Sequence, residues 1–152
     1  MILSAATIRA IQPVRPFCEH TIHNGRSYGL SHAGYDVRIK QDVFLRAGEF
    51  SLASTVEHFE MPDDVLAIVH DKSTWARQGL SVFNTVIEPG WHGWLTLELK
   101  NQHHTNHIRI AAGDPIAQVV FQRLDMPTVP YAGKYQSQPD RPVEAILERS
   151  AE

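Results

Sequence analysis

Trp94-Leu95-Thr96-Leu97-Glu98-Leu99 is the stretch that decides the fold class, because its apolar residues occupy alternate positions. A period of two is typical of a β-strand with one face in the core. We expect the three leucines to face the core and Thr96 and Glu98, together with Trp94, to share the opposite face. If that second face is covered, Glu98 is a confined carboxylate with a raised pKa that can move protons. If it is open, Glu98 is an ordinary solvent-facing side chain.

Strand patterns of the same kind extend on both sides of this stretch, from about Tyr28 to Leu124. They cover 36–40, 50–53, 65–69, 108–110 and 116–121. The run 65–69 is apolar throughout, which predicts a strand buried on both faces. Turn signals with glycine, proline or aspartate separate the strands at 47–48, 61–64, 88–90 and 112–115. Many short strands divided by turns predict an all-β sandwich, barrel or jelly roll.

Three short helices are expected outside or between the strands. The first runs from Ser4, a plausible N-cap, to Ile11 and is stopped by Pro13. The second is one or two turns within 71–78, ended by Gly79. The third is Val143 to Arg149, after Pro142 and a polar stretch rich in proline, glutamine and glycine.

Composition narrows the class of protein. The chain has 152 residues, 43% of them hydrophobic and 20% charged, which fits one domain spanning 1–152. Its apolar runs are too short to cross a bilayer and no secretory leader is visible, so we expect a cytoplasmic protein without a membrane partner. A net charge of −3 argues against a nucleic-acid partner. The single cysteine, Cys18, excludes a disulfide framework and a Cys-rich zinc site.

Nine histidines invite a metal interpretation. His103 and His107 are four apart and His20 and His23 are three apart, spacings that metal sites use on helices. The first pair, however, lies in a polar stretch between two strands. A solvated loop is the commoner explanation, and we expect no metal ligands there.

The stretch 71–79 admits two interpretations. On a short helix, Ser73 and Arg77 would lie on one face, with Lys72 near the helix start. A hydroxyl, a planar guanidinium and a cation in that arrangement suit a phosphate group. The alternative is an ordinary capped helix with solvated basic residues, and spacing alone favours it.

A second carboxylate, Glu88, lies ten residues before Glu98, in a turn. The spacing does not say whether the two carboxylates meet.

Seven motifs, in order along the chain, carry a resemblance. They are Met1-Ile2-Leu3-Ser4 with Ile8-Arg9, Gly34-Tyr35-Asp36-Val37-Arg38, Phe50 to Thr55 with Pro62-Asp63-Asp64, Lys72 to Leu80, Ile87 to Gly93, Leu95 to Leu99 with Asn101, and Tyr131 with Gly133-Lys134-Tyr135-Gln136 and Gln138. Together they resemble the dCTP deaminase branch of the dUTPase superfamily.

The resemblance implies a distorted β-barrel or jelly roll that works as a homotrimer with active sites between subunits. It implies a deoxynucleoside triphosphate accompanied by Mg²⁺, and no zinc. Glu98 would carry the protons of catalysis, and Ser73 and Arg77 would contact phosphates and orient catalytic groups. The expected substrate-binding residues are Lys72, Ser73, Thr74, Arg77, Asn84, Glu88, Thr96, Tyr131, Lys134 and Gln138.

The function expected from this resemblance is hydrolytic deamination of dCTP to dUTP and ammonia, feeding dUMP and dTTP synthesis. One alternative is a bifunctional enzyme that also releases pyrophosphate and yields dUMP. Another is a nucleotide-binding regulatory protein of the same fold, because the stretch between Gly79 and Ile87 is shorter than the resemblance leads us to expect. Glu88 also replaces the usual aspartate.

Overall fold

The computed structural model describes residues 1–148, which form twelve β-strands and two short helices. In chain order the elements are α1 (Ala5–Ile11), β1 (Val14–Arg15), β2 (Thr21–His23), β3 (Arg26–Ser31), β4 (Gly34–Arg38), β5 (Val43–Leu45), β6 (Phe50–Glu60), β7 (Val65–Asp71), α2 (Ser73–Ala76), β8 (Leu80–Val82), β9 (Val86–Ile87), β10 (His92–Asn101), β11 (Ile108–Ile110) and β12 (Pro115–Arg123). The predicted all-β class is confirmed.

The strands form three antiparallel sheets that curl into a distorted barrel. The largest has the order β2-β3-β4-β12-β7-β9, with β12 between β4 and β7. The second has the order β1-β6-β10-β8, and β5 and β11 make a small third sheet. An isolated bridge between Ile39 and Thr55 joins the first two sheets. Buried side chains from both, among them Tyr35, Phe59 and Phe121, fill the interior and are fully shielded from solvent.

The strand at 65–69 departs from its prediction. Within β7 the inward side chains of Val65, Ala67 and Val69 are buried, whereas Leu66 and Ile68 are only half-buried. An unbroken apolar run predicts burial on both faces, but in a single chain the second face of β7 is only partly covered.

Two of the three predicted helices are confirmed. α1 begins after Ser4, whose hydroxyl makes no capping hydrogen bond, and ends where Gln12 adopts a left-handed conformation. α2 is a single turn, and Gly79, with φ of +76°, follows it.

The predicted helix from Val143 to Arg149 is wrong over the residues that the structure describes, and Arg149 lies outside them. The backbone amides of this segment donate to the barrel instead. The Val143 N–H bonds Thr96 Oγ1 at 3.0 Å and the Ile146 N–H bonds the Tyr135 hydroxyl at 3.0 Å. These tertiary bonds replace the bonds of a helix that would have been too short to be stable alone.

The polar stretch after β10 is a loop, as predicted for His103 and His107. His103 Nε2 bonds the Gln78 carbonyl at 2.8 Å, so this loop packs against the end of α2. Over residues 1–148, no helix has the length and apolar character needed to cross a membrane.

Asn101, at the end of β10, ties three loops together. Its fully buried amide donates to the carbonyls of Leu45, Arg46 and Asn106, and its oxygen accepts the His103 N–H. A buried amide with every partner satisfied is costly to remove, because each partner is then left without a hydrogen bond.

We therefore expect Asn101→Ala to lower the free energy of unfolding by at least about 2 kcal/mol. Chemical denaturation monitored by fluorescence measures this change. Asn106→Ala is the matched control, because the side chain of Asn106 is exposed and we expect almost no loss. Equal losses in the two variants would contradict the structural role of Asn101.

Candidate active site

Glu98 lies on β10 opposite Leu52 of β6, and its half-buried carboxylate lines a cavity of about 500 Å³. Within residues 1–148 no lysine, arginine or histidine lies within ion-pair distance of it. Burial raises the pKa of Glu98, and its own backbone N–H opposes the rise. The second face of the strand is thus covered, which is the condition under which this carboxylate can hold a proton near neutral pH.

The alternation in β10 is interrupted near the cavity. The register shifts between Trp94 and Thr96, because β6 has extra residues at this point. Leu95 is buried as predicted, but it lines the cavity together with Thr96, and both side chains are less than a tenth exposed. From Leu97 onward the strict alternation holds. The irregularity turns two consecutive side chains toward one cavity wall.

Glu88 lines the same cavity, so the two carboxylates share one space, a point that spacing left open. Glu88 follows β9 and belongs to a turn that receives the C-terminal segment. The Tyr131 N–H bonds the Pro89 carbonyl at 2.8 Å. Gly90 has φ of +75°, and a Cβ there would come within 2.5 Å of Pro130. Only glycine allows the C-terminal segment to approach the turn so closely.

The C-terminal segment forms one wall of the cavity. The Trp91 indole N–H donates to the Tyr135 carbonyl at 2.6 Å, and the Thr96 hydroxyl donates to Gln138 Oε1 at 2.9 Å. At Gly93, with φ of +142°, a Cβ would meet the Gln138 amide at 2.6 Å. The segment therefore lies directly on the backbone of β10 and covers the polar side of the strand.

The residues expected on the short helix lie elsewhere. Ser73, Thr74 and Arg77 are exposed on α2 and do not line the cavity of a single chain. Lys72 points inward, where its ammonium bonds the buried Asp36 carboxylate at 2.6 Å. Three of the four α2 residues are thus presented on the surface, and Lys72 is not.

Asn84 and Lys134 are also exposed, and neither lines the cavity, although each is next to a residue that does. Asn84 precedes Thr85. The Lys134 ammonium lies 5.3 Å from the ring centre of its neighbour Tyr135. Of the predicted site residues, the structure brings together Thr96, Glu88, Glu98, Tyr131 and Gln138.

Sequence reasoning missed the apolar walls of the cavity, formed by Phe50, Leu52, Trp91 and Tyr135. Trp91 and Tyr135 stand inside motifs that carry the resemblance, so their positions were visible but their role was not. Leu52 faces Glu98 across the β6–β10 pair. That contact could be found only by knowing which strands pair.

Solved structures with this fold are dUTPases. The dUTPase of phage phi11 of S. aureus, whose description names a structural Mg(II) ion, matches with a TM-score of 0.59 and 19% identity over 82% of this chain and 97% of that chain. The native EIAV dUTPase matches with a TM-score of 0.58 and 17% identity over 81% and 97%. The predicted dUTPase-like fold is confirmed.

Relatives in sequence are enzymes named dCTP deaminase. That of Campylobacter lari is 38% identical over 168 residues, covering 88% of this chain and 90% of the relative. That of Campylobacter fetus subsp. fetus is 38% identical over 170 residues, covering 90% and 91%. Both aligned stretches exceed the 152 residues of this chain, so the relatives contain residues that it lacks.

The family model described as dCTP deaminase-like matches residues 11–124, which include α2, Glu88 and Glu98. Together with the relatives, this match confirms the predicted family: the chain belongs to the dCTP deaminase-like family.

Proposed function

We propose that the protein deaminates dCTP hydrolytically, giving dUTP and ammonia, with Glu98 as the group that moves the protons. The observation that carries the proposal is a half-buried carboxylate without a cationic partner, lining a cavity large enough for a nucleoside. The relatives' name, dCTP deaminase, supplies the substrate and the reaction.

The raised pKa of Glu98 suits this role. The ionised carboxylate takes a proton from water, and the resulting hydroxide adds to C4 of the cytosine ring while N3 is protonated. The amino group then takes a proton and leaves as ammonia, so that dCTP and water give dUTP and ammonia. One carboxylate serves both transfers when its pKa lies near the working pH, because it then accepts and returns a proton readily.

The remaining cavity residues would bind the nucleoside. The Thr96 hydroxyl and Gln138 amide, bonded to each other, form a polar patch beside Glu98. Trp91, Tyr131 and Tyr135 offer aromatic surface for a base or sugar. Glu88 adds a second carboxylate, which also fits an enzyme that cleaves the triphosphate as well.

The phosphates would be bound by Ser73, Thr74 and Arg77, with Asn84 and Lys134 at the edge of the site. The α2 residues are exposed and lie outside the cavity of their own chain. A homotrimer with sites between subunits, as the family resemblance implies, would bring α2 of one chain to the cavity of the next.

Magnesium would enter with the nucleotide. The chain's oxygen donors at the cavity are the Glu88 and Glu98 carboxylates, and no group of three or more His, Cys, Asp or Glu side chains within 1–148 is placed to hold a metal ion. Mg²⁺ keeps most of its waters and binds phosphate oxygens in such sites. It would neutralise part of the triphosphate charge.

Glu98→Gln should abolish ammonia release from dCTP and Mg²⁺, by at least about 10²-fold, because the amide cannot accept a proton. Glu60→Gln, a glutamate outside the cavity, should keep wild-type activity. Ammonia and pyrophosphate are measured separately, with dCTP, dCMP and dUTP as substrates. Pyrophosphate together with ammonia would establish the bifunctional reaction. Wild-type protein that releases no ammonia from any of them, or a fully active Glu98→Gln, would contradict the proposal.

Mixing inactive chains tests the shared site. Trimers refolded from equal amounts of Glu98→Gln and Arg77→Ala chains should recover about a quarter of wild-type activity, because a cyclic trimer then contains sites with intact Glu98 and Arg77 from different chains. Each variant alone should stay inactive. If one chain contained the whole site, mixing would restore nothing.

Glu98 should also make stability depend on pH. Because burial raises its pKa, the folded state binds this proton more tightly than the unfolded state. Stability therefore falls as pH rises from the ordinary glutamate pKa, about 4.3, through the raised value. Glu98→Gln removes this loss, so its Tm should exceed that of the wild type above this window and equal it below.

Differential scanning calorimetry across this pH range measures the effect. Glu60→Gln serves as the control and should show no gain that grows with pH. A Tm difference for Glu98→Gln that is constant with pH would contradict the raised pKa.

A further inference from the structure

α2 is too short to hold its own position. It has four residues, and no side chain caps its start. A single turn fixes several backbone dihedrals for one or two hydrogen bonds, so its placement depends on tertiary contacts. The residues proposed to bind phosphate, Ser73 and Arg77, are four apart on this turn, and the gap between their polar groups is set by how the turn is anchored.

The first anchor is a buried ion pair directly before the helix. The Lys72 ammonium bonds Asp36 Oδ2 at 2.6 Å and lies 3.4 Å from the Ser27 hydroxyl. Lys72 is 8% exposed and Asp36 is 6% exposed. Asp36 stands on β4, between Gly29 of β3 and Gln118 of β12, in the middle of the largest sheet. The pair therefore ties the start of α2 to a rigid part of the barrel.

The second anchor is Trp75, which holds the turn from its inner face. Its indole N–H donates to the Pro115 carbonyl of β12 at 2.6 Å, and only 2% of the residue is exposed. The Arg26 guanidinium of β3 lies 4.3 Å above its ring. With both inner contacts made, Ser73, Thr74 and Arg77 point outward together.

We propose that Asp36 is a positioning residue for the nucleotide site: it holds Lys72 inside the protein and so fixes α2, while Lys72 itself does not touch phosphate. This inference rests on the proposed function, in which α2 binds the phosphates of the nucleotide.

Electrostatics separates the two possible roles of Lys72. To reach a phosphate, its ammonium would have to leave Asp36 and strand a carboxylate inside the barrel, which is strongly unfavourable. Asp36 itself carries a negative charge, so it would weaken phosphate binding if it acted on the ligand directly. The sign of the effect of removing that charge therefore distinguishes an anchor from a competitor for Lys72.

Asp36→Asn keeps the shape of the side chain and removes its charge. If the pair is an anchor, the KM and the calorimetric Kd for dCTP rise about tenfold because the phosphate-binding groups lose their alignment. We expect kcat to change less than about twofold and the Kd of deoxycytidine, which lacks phosphates, to stay unchanged. Glu19→Gln is the matched control, because it breaks the exposed Arg9–Glu19 pair, and should change none of these values.

The double variant Asp36→Asn/Lys72→Met removes both buried charges and leaves neither unpaired, so it protects the test against misfolding. The anchor role predicts the same roughly tenfold loss as in Asp36→Asn alone, because both variants remove one interaction. A melting experiment checks that both variants fold.

Three results would overturn the inference. The first is tighter or unchanged dCTP binding by Asp36→Asn, with a loss only in the double variant, which would make Lys72 a direct ligand. The second is equal weakening for dCTP and deoxycytidine, which would indicate general damage. The third, wild-type protein that does not bind dCTP at all, would overturn the proposed function as well, and it is seen before any variant is made.

Discussion

The pairing of β6 with β10 is the contact on which the site depends. It is the longest strand pair of the barrel, and it places Leu52 across from Glu98. Where the register shifts beside Thr96, the two strands stop matching one to one, and the polar side of β10 becomes a concave surface. A regular pair would have kept Glu98 on an open sheet face. The extra residues in β6 therefore help to turn a strand into a cavity wall.

The C-terminal segment completes what the sheet begins. It forms no regular element after residue 138, yet its amides and side chains bond the barrel at Thr96, Trp91 and the turn at Pro89. Two glycines, at 90 and 93, let it lie against the backbone. Covering Glu98 costs hydration of the carboxylate, and the raised pKa expresses that cost. A group kept partly unsolvated for chemistry lowers stability, as is common at catalytic sites.

Sequence patterns predicted what depends on local periodicity. The alternation in 94–99 gave the strand and the face of Glu98, and the capping pattern at Ser4 gave α1. They failed where distant residues decide. The segment from Val143 has helical composition, but its amides find partners forty-seven and eleven residues away in sequence. The second face of β7 reads as buried because Leu66 and Ile68 are apolar, although a single chain covers them only in part. Neither outcome is written in a local window.

The distribution of charge between cavity and helix explains why one side chain each could be identified and the relation between them could not. Glu98 lies in a cavity wall without a cation nearby, and Arg77 lies on an exposed turn without belonging to that wall. If both served one nucleotide within a single chain, the guanidinium would be expected near the carboxylate, where it would lower the pKa of Glu98 and spoil a proton carrier. Supplying the cation from another chain lets phosphate charge and Arg77 neutralise each other at a distance from Glu98. A shared site is therefore compatible with a raised carboxyl pKa in a way that a compact single-chain site is not.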